Sequence, residues 1–225
     1  MPVRVGAVHA DGNYRVRVGS QEIEIPLVAI ADDLAIALLI SVDLGVTFSA
    51  LAGEELAARL APFGAEIVVS VATMGIPLAI EVTRALGLDD YVILHKTPKI
   101  HLSDAVAEPV TSITTATPQR LLFDRSRLPA VAGRRVAVVD DVISTGGSTK
   151  AALNLLRGIG AIPVAVGTLV TEGSRWRDVL AEDARLVQAL GALPLFRPGP
   201  GGALVEDWEG PPGPPPPATS APGAG

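Results

Sequence analysis

Cysteine is absent from the 225 residues. No disulfide can staple the fold, which suits a reducing compartment, and the cytoplasm is the expected location. The first ten residues carry Arg4 and His9 among apolar neighbours and lack the basic, apolar, small-residue order of a secretory signal. Long apolar runs are also missing. Leu34 to Val46 is broken by Asp43 and Ala161 to Val170 is short, both below the roughly 18 to 20 residues that a membrane span needs, so no membrane is expected. Positive charge is in deficit, with a formal net charge of −6. Broad nucleic-acid binding, which consumes a surplus of Lys and Arg, is thereby disfavoured, though a small anion can still bind locally. Lysine in particular is scarce: Lys96, Lys99 and Lys150 stand against 15 arginines. His9, His95 and His101 share no ligand spacing, so no protein-built metal site is expected.

What is present is a globular composition, 48% apolar and 19% charged, in a length that suits one good-sized domain. From Pro198 the residues turn to Gly, Pro, Ala and three acids, which reads as a disordered or polyproline-like tail over 198–225. Residues 1–64 read as a small antiparallel β element (Val3 to Val8, Tyr14 to Val18, Glu22 to Ile25) followed by two helices. One helix is placed near Asp32-Asp33, acids that suit a helix N-terminus, and the other over Ser49 to Leu60.

Residues 65–197 alternate strand and helix. Strands are expected at Glu66 to Val71, Tyr91 to His95, Arg135 to Val139 and Ile162 to Val170. Helices are expected at Leu78 to Leu86, Ser148 to Ile159 and Arg175 to Leu190, the last leading into the apolar run Leu193 to Phe196. The fold class is therefore α/β, a parallel sheet flanked by helices. Thr97 to Gly133 is too long for a plain connection and reads as a flexible arm or hood, about 97–118, with β character at Ile113 to Thr115 and Leu121 to Phe123. The pair Lys96 and Lys99 opens it, either as a functional pair or as a solvated turn.

The most informative stretch runs from Val136 to Thr149. A buried strand meets Asp140 and Asp141, then Ser144, Thr145, Gly146, Gly147, Ser148 and Thr149 lead into a helix. Ligands of open parallel sheets bind at the carboxyl ends of strands. N–H groups of a Gly-containing turn, backed by a helix N-terminus, suit a phosphate monoester, and the carboxylates can accept bonds from vicinal sugar hydroxyls. One segment can thus hold a ribose 5-phosphate at both ends. A Walker B strand would look similar, but no G-x-x-x-x-G-K-[ST] loop accompanies it. A plain turn with surface acids is the remaining alternative.

This string resembles the phosphoribosyl pyrophosphate (PRPP) signature of the type I phosphoribosyltransferases, over roughly Glu66 to Phe196 and nearest to the adenine and hypoxanthine-guanine enzymes. The resemblance implies that Asp140 and Asp141 contact the ribose hydroxyls and that Thr145 to Thr149, with Ser144, hold the 5-phosphate. It places the pyrophosphate loop at Ala72, Thr73, Met74 and Gly75. Ala72 departs from the acidic residue common there, and Met74 is either a loop residue or a core filler. Lys96 matches a lysine that neutralises the leaving pyrophosphate, Lys99 another basic position, and His95 stands where arginine is usual. The base site would fall at Val170, Thr171 and Glu172, unless Glu172 is simply a solvent-facing acid. The resemblance further implies Mg²⁺ held mainly by PRPP and pyrophosphate oxygens, a homodimer, and a purine as acceptor, adenine first, with hypoxanthine, guanine, xanthine or a non-catalytic PRPP-binding regulator as alternatives.

Overall fold

The computed structural model describes residues 6–8, 12–98, 104–110 and 119–209. Four N-terminal strands, β1 (Gly6–Val8), β2 (Asn13–Val18), β3 (Gln21–Ala31) and β4 (Leu34–Ala37), each pair antiparallel with the next. In β2 the two-residue period is literal: Tyr14, Val16 and Val18 are buried while Arg15 and Arg17 face out. Asp32 and Asp33 do not begin a helix. The pairing of Ala31 with Leu34 leaves them as the two-residue turn between β3 and β4. Short acids suit a turn as well as a helix N-terminus, and the apolar residues that follow pair as a strand. After a 3-10 turn at Ser41–Leu44 comes α1 (Gly45–Leu60), whose Phe48, Ala52, Leu56 and Leu60 form a buried stripe.

The α/β rhythm then follows as β5 (Ile67–Val71), α2 (Gly75–Ala85), β6 (Tyr91–Leu94), β7 (Ala105–Val110), β8 (Gln119–Asp124), α3 (Leu128–Val131), β9 (Arg135–Ile143), α4 (Gly147–Gly158), β10 (Ile162–Glu172), α5 (Arg175–Leu180) and β11 (Val187–Leu193). Five of these strands form one parallel sheet in the order β11-β10-β9-β5-β6. Leu56, Leu60, Leu78 and Val82 of α1 and α2 pack with Val68, Ala137 and Val139 in one core. Leu153 and Leu156 of α4 pack with Val69, Val136 and Val138 in the other. Every residue of β5 is buried, as a central strand covered on both faces requires.

The expected arm is a hairpin of β7 and β8. Leu121 and Phe123 lie in its second strand, fully buried. Its first strand is Ala105–Val110; the β character placed at Ile113 to Thr115 falls outside the described residues, as do Lys99 and most of the hood. The hairpin is rooted on the sheet through His95, whose N–H donates to the Leu122 carbonyl at 2.9 Å and whose carbonyl accepts the Leu122 N–H at 2.8 Å.

Two expectations are corrected at the C-terminal side. The helix placed over Arg175 to Leu190 ends at Leu180, and after a 3-10 turn (Ala181–Leu186) the chain becomes β11 at the sheet edge. Ala181 sits at a φ of 51°, which stops the helix. Trp176 and Leu180 keep their buried face, whereas Val187 and Leu190 belong to the strand. Beyond it, β12 (Leu195–Pro198) and β13 (Leu204–Asp207) pair with each other, and β12 pairs with β4. The two ends of the described chain therefore share one antiparallel sheet, β1-β2-β3-β4-β12-β13. The tail read as disordered from Pro198 includes this ordered strand, and residues 210–225 lie outside the described residues.

The added strand is tied in by side chains. The Tyr14 hydroxyl donates to Glu206 Oε1 at 3.1 Å, the Trp208 indole N–H to Glu206 Oε2 at 2.8 Å, and Arg197 Nε to Asp207 Oδ2 at 3.2 Å. Burial, with Glu206 beside it, pushes the Tyr14 hydroxyl well up, keeping it a neutral donor. Phe196 meets Tyr14 edge-on at 5.0 Å between ring centroids and is fully buried. A chain ending at Arg197 should therefore lose about 1 to 3 kcal/mol, several degrees of melting temperature, through lost bonds and an uncovered aromatic pair. One ending at Glu209 should melt like the full chain, because Pro- and Gly-rich residues have little apolar area to bury. Differential scanning calorimetry of the two truncations decides between an integral β13 and a dispensable one.

Candidate functional site

β9 explains why an acid pair can sit at the heart of the sheet. Val136 to Val139 are buried between β5 and β10, and the strand continues through Asp140 and Asp141 to Ile143 instead of stopping at Val139. The carboxylates thus lie within the strand, partly buried, and not free at its solvent end. The Asp141 N–H donates to Asp140 Oδ1 at 3.0 Å, and the buried Thr168 hydroxyl of β10 donates to the Asp141 carbonyl at 2.9 Å. Burial above all, then the neighbouring Asp141, pushes the Asp140 carboxyl well above its ordinary value. Lys96 pulls it the other way. Its charge, at the end of β6 and two strands away from β9, therefore reaches Asp140 across the end of β5.

The turn after β9 runs straight into the start of α4. Gly146 takes a φ of 82° at the N-cap of α4, and Gly147 to Lys150 make the first helical turn. The first N–H groups of a helix have no intrahelical partner, so they and the macrodipole face whatever sits in the turn. Gly146 also leaves little room, since a Cβ there would stand 3.1 Å from Trp176 Cα and 3.2 Å from its carbonyl oxygen. Ser144 Oγ donates to Glu172 Oε2 across the end of β10 at 2.5 Å. Glu172 is buried, 7% exposed, so it is not a solvent-facing acid. Burial pushes its carboxyl up, with the Ser144 bond opposing.

The loop after β5 stands beside this pair. Thr73 and Met74 are exposed, Met74 by 39%, which removes the core-filler reading. Ala72 is half-buried, and its N–H donates to the Leu94 carbonyl at 2.9 Å. Gly75 opens α2 directly against the acids: a Cβ there would lie 2.6 Å from Ser70 Oγ and 2.7 Å from Asp140 Oδ1. Ser70 is fully buried, and its hydroxyl has no partner among the described residues. Sequence reasoning missed Ser41, whose buried hydroxyl donates to the Met74 carbonyl at 2.9 Å and pins the loop from the N-terminal region. Nothing in the local pattern of Ser41 signals a contact 33 residues away.

The carboxyl ends of β5, β6 and β9 thus bring Ala72 to Gly75, Lys96, Asp140, Asp141 and Ser144 to Thr149 to one edge of the sheet. The trio at the end of β10 is not one surface. Val170 is buried in the core with α1, Thr171 lines a cleft along β11, and Glu172 turns to Ser144. Successive strand residues point to opposite faces, which separates Thr171 from Glu172. Among the described residues no group of three or more His, Asp or Glu converges on a point that could hold a metal, and no helix is long and apolar enough to cross a membrane.

The profile of the phosphoribosyl transferase domain matches residues 50–191, from within α1 to β11. Over 123 residues the chain is 28% identical to the orotate phosphoribosyltransferase of Caldanaerobacter subterraneus, covering 55% of this chain and 53% of that one. Over 105 residues it is 34% identical to the transcriptional regulator GfcR 1 of Methanosarcina barkeri, covering 47% and 45%. Adenine and xanthine phosphoribosyltransferases are also among its relatives. The chain spans about half the length of these first two curated relatives. In fold it matches the crystal structure of adenine phosphoribosyltransferase from Thermoanaerobacter pseudethanolicus with a TM-score of 0.51, at 20% identity, over 64% of this chain and 77% of that one.

Proposed function

The chain belongs to the phosphoribosyl transferase family, and from that premise we propose that it transfers the phosphoribosyl group of PRPP to a nitrogen of a purine, adenine first, releasing pyrophosphate and the nucleoside 5-monophosphate. The observation that carries this reading is the continuous segment from Asp140 to Thr149, which sets two carboxylates and an anion-accepting helix start on one side of the sheet edge. Asp140 and Asp141 accept bonds from the ribose 2- and 3-hydroxyls, while Thr145 to Thr149 hold the 5-phosphate with Ser144 fixed by Glu172. Pyrophosphate lies against the backbone of Ala72 to Gly75, because Ala72 brings no polar side chain. Lys96 neutralises charge on it as the C1–O bond breaks and an oxocarbenium-like centre forms. Lys99, outside the described residues, is the second basic residue assigned to the same charge. Glu172, at the end of β10, is the acid assigned to a base N–H, a role for which it would have to share its carboxylate with Ser144.

The donor set fits Mg²⁺ bound mainly through substrate oxygens, since two carboxylates and, among the described residues, no protein cage stand at the site. The ion supplies neutralisation of the pyrophosphate charge.

A second reading is a PRPP-binding regulator, favoured by Ala72 and by the regulator among the relatives. The panel that tests the proposal is pyrophosphate release from PRPP with adenine, hypoxanthine, guanine, xanthine and orotate in turn. Release is expected with adenine and not with orotate. Binding of PRPP with no release on any base replaces the enzyme reading by the regulator.

A further inference from the structure

We propose a second anion site, separate from the sheet edge that carries Asp140 and Asp141, in the cleft along the outer side of β11, and assign it to a phosphate-bearing small molecule of nucleotide size. The cleft measures about 640 Å³ and draws Arg17 from β2, Arg59 from α1 and Arg177 from α5 around the edge strand from Val187 to Gly191. Its lining contains no Asp or Glu. That volume lies in the range of sites for nucleotide-sized ligands.

Arg15, Arg84, Arg125, Arg127, Arg157 and Arg197 each hold a carboxylate. Among the described residues Arg17, Arg59 and Arg177 hold none, a lack they share with Arg120, Arg134, Arg135, Arg175 and Arg185, and what distinguishes them is that all three line one concavity. Arg59 donates to the Ala189 carbonyl, and Arg177 lies over the Trp176 ring at 4.4 Å. Stacking and a carbonyl bond orient a guanidinium without neutralising it. In a chain of net charge −6, three unneutralised guanidiniums around one concavity form a local positive field. Planar forks of this kind match phosphoryl oxygens in pairs.

Close backbone contacts join the walls. Gly19 N–H donates to the Leu190 carbonyl at 3.1 Å, closing part of the strand edge, and Gly191 lets β2 approach so closely that a Cβ there would stand 2.6 Å from the Arg17 carbonyl oxygen. Thr171 and Trp176 also line the cleft. Trp176 is also the residue whose backbone abuts Gly146, so the anion would sit one residue along α5 from the wall of the phosphate turn. This site does not depend on the transferase reading, and its test is binding and not turnover.

The full chain is titrated by isothermal calorimetry in about 150 mM salt with sodium tripolyphosphate and, separately, with ATP. The wild type should show two sites. Arg17→Ala/Arg177→Ala should remove one, or weaken it at least tenfold, while Lys96→Ala leaves that site intact. ATP binding tighter than tripolyphosphate assigns the site to a nucleotide; equal affinity assigns it to the polyphosphate chain alone. If the double variant does not fold, the single changes Arg17→Gln and Arg177→Gln, both at exposed positions, replace it. Binding, at one site or at two, that is indifferent to Arg17 and Arg177 overturns the proposal, as does no binding at all; a single site lost with Arg17 and Arg177 and kept in Lys96→Ala supports it.

Discussion

Changing Asp140 and Asp141 together to Asn should lower turnover by about 100-fold or more, the scale seen when a charge-bearing group aimed at the reacting centre is removed, and should leave the protein folded. Amide and carboxyl are nearly isosteric, so the packing of β9 between β5 and β10 survives. The single change Asp140→Asn should go further and stabilise the protein at neutral pH. Its carboxyl, pushed up by burial and by Asp141, holds a proton in the folded state that the unfolded chain releases near 3.8. Stability should therefore fall as pH climbs from about 3.8 through the raised value, and the penalty is complete above it. Asn carries no such slope. The melting temperature of Asp140→Asn should exceed that of the wild type at pH 8, and the gap should close towards pH 4. Parallel melting curves across that range check the sign; a gap that widens on acidification would mean that Lys96 stabilises the carboxylate more than burial penalises it.

The segment Val136 to Thr149 was legible because several signals agree there: an apolar run fit for a central strand, acids at its end, and glycines where a turn must meet a helix. The elements that were misread lack such agreement. Val187 to Leu193 has apolar residues at spacings that serve helix or strand, and only the open edge of β10 decides for a strand. Asp32 and Asp33 suit a helix start or a hairpin turn, and pairing of β3 with β4 chooses the turn. Leu204 to Asp207 sits in a Pro- and Gly-rich stretch, yet β12 offers it a partner and Tyr14 a bond. Ser41 and the arginine cleft are assembled from distant parts of the chain and carry no local pattern. For β11, β13, Ser41 and the cleft a partner distant in sequence made the decision, whereas at Asp32 and Asp33 it was the adjacent strand.

Gly146→Ala should raise the KM for PRPP by about tenfold or more, with a smaller effect on turnover once PRPP is saturating, and a second glycine makes the cause identifiable. Gly146 and Gly160 both hold a φ of 82°, so alanine costs each about 1 to 2 kcal/mol in backbone strain alone. They differ in what surrounds them. A Cβ at Gly160 meets nothing within 4 Å, whereas at Gly146 it meets the backbone of Trp176 at 3.1 and 3.2 Å, atoms that can yield only if α5 or the turn itself moves. Moving the turn displaces the N–H groups of Gly147 to Thr149, which the proposed function assigns to the 5-phosphate. Gly160→Ala should therefore lower the melting temperature with KM unchanged, and Gly146→Ala should lower it at least as far while weakening PRPP binding. Steady-state kinetics and melting curves on both variants separate the two effects. Equal KM values for PRPP in the two would show that the turn after β9 does not hold the phosphate.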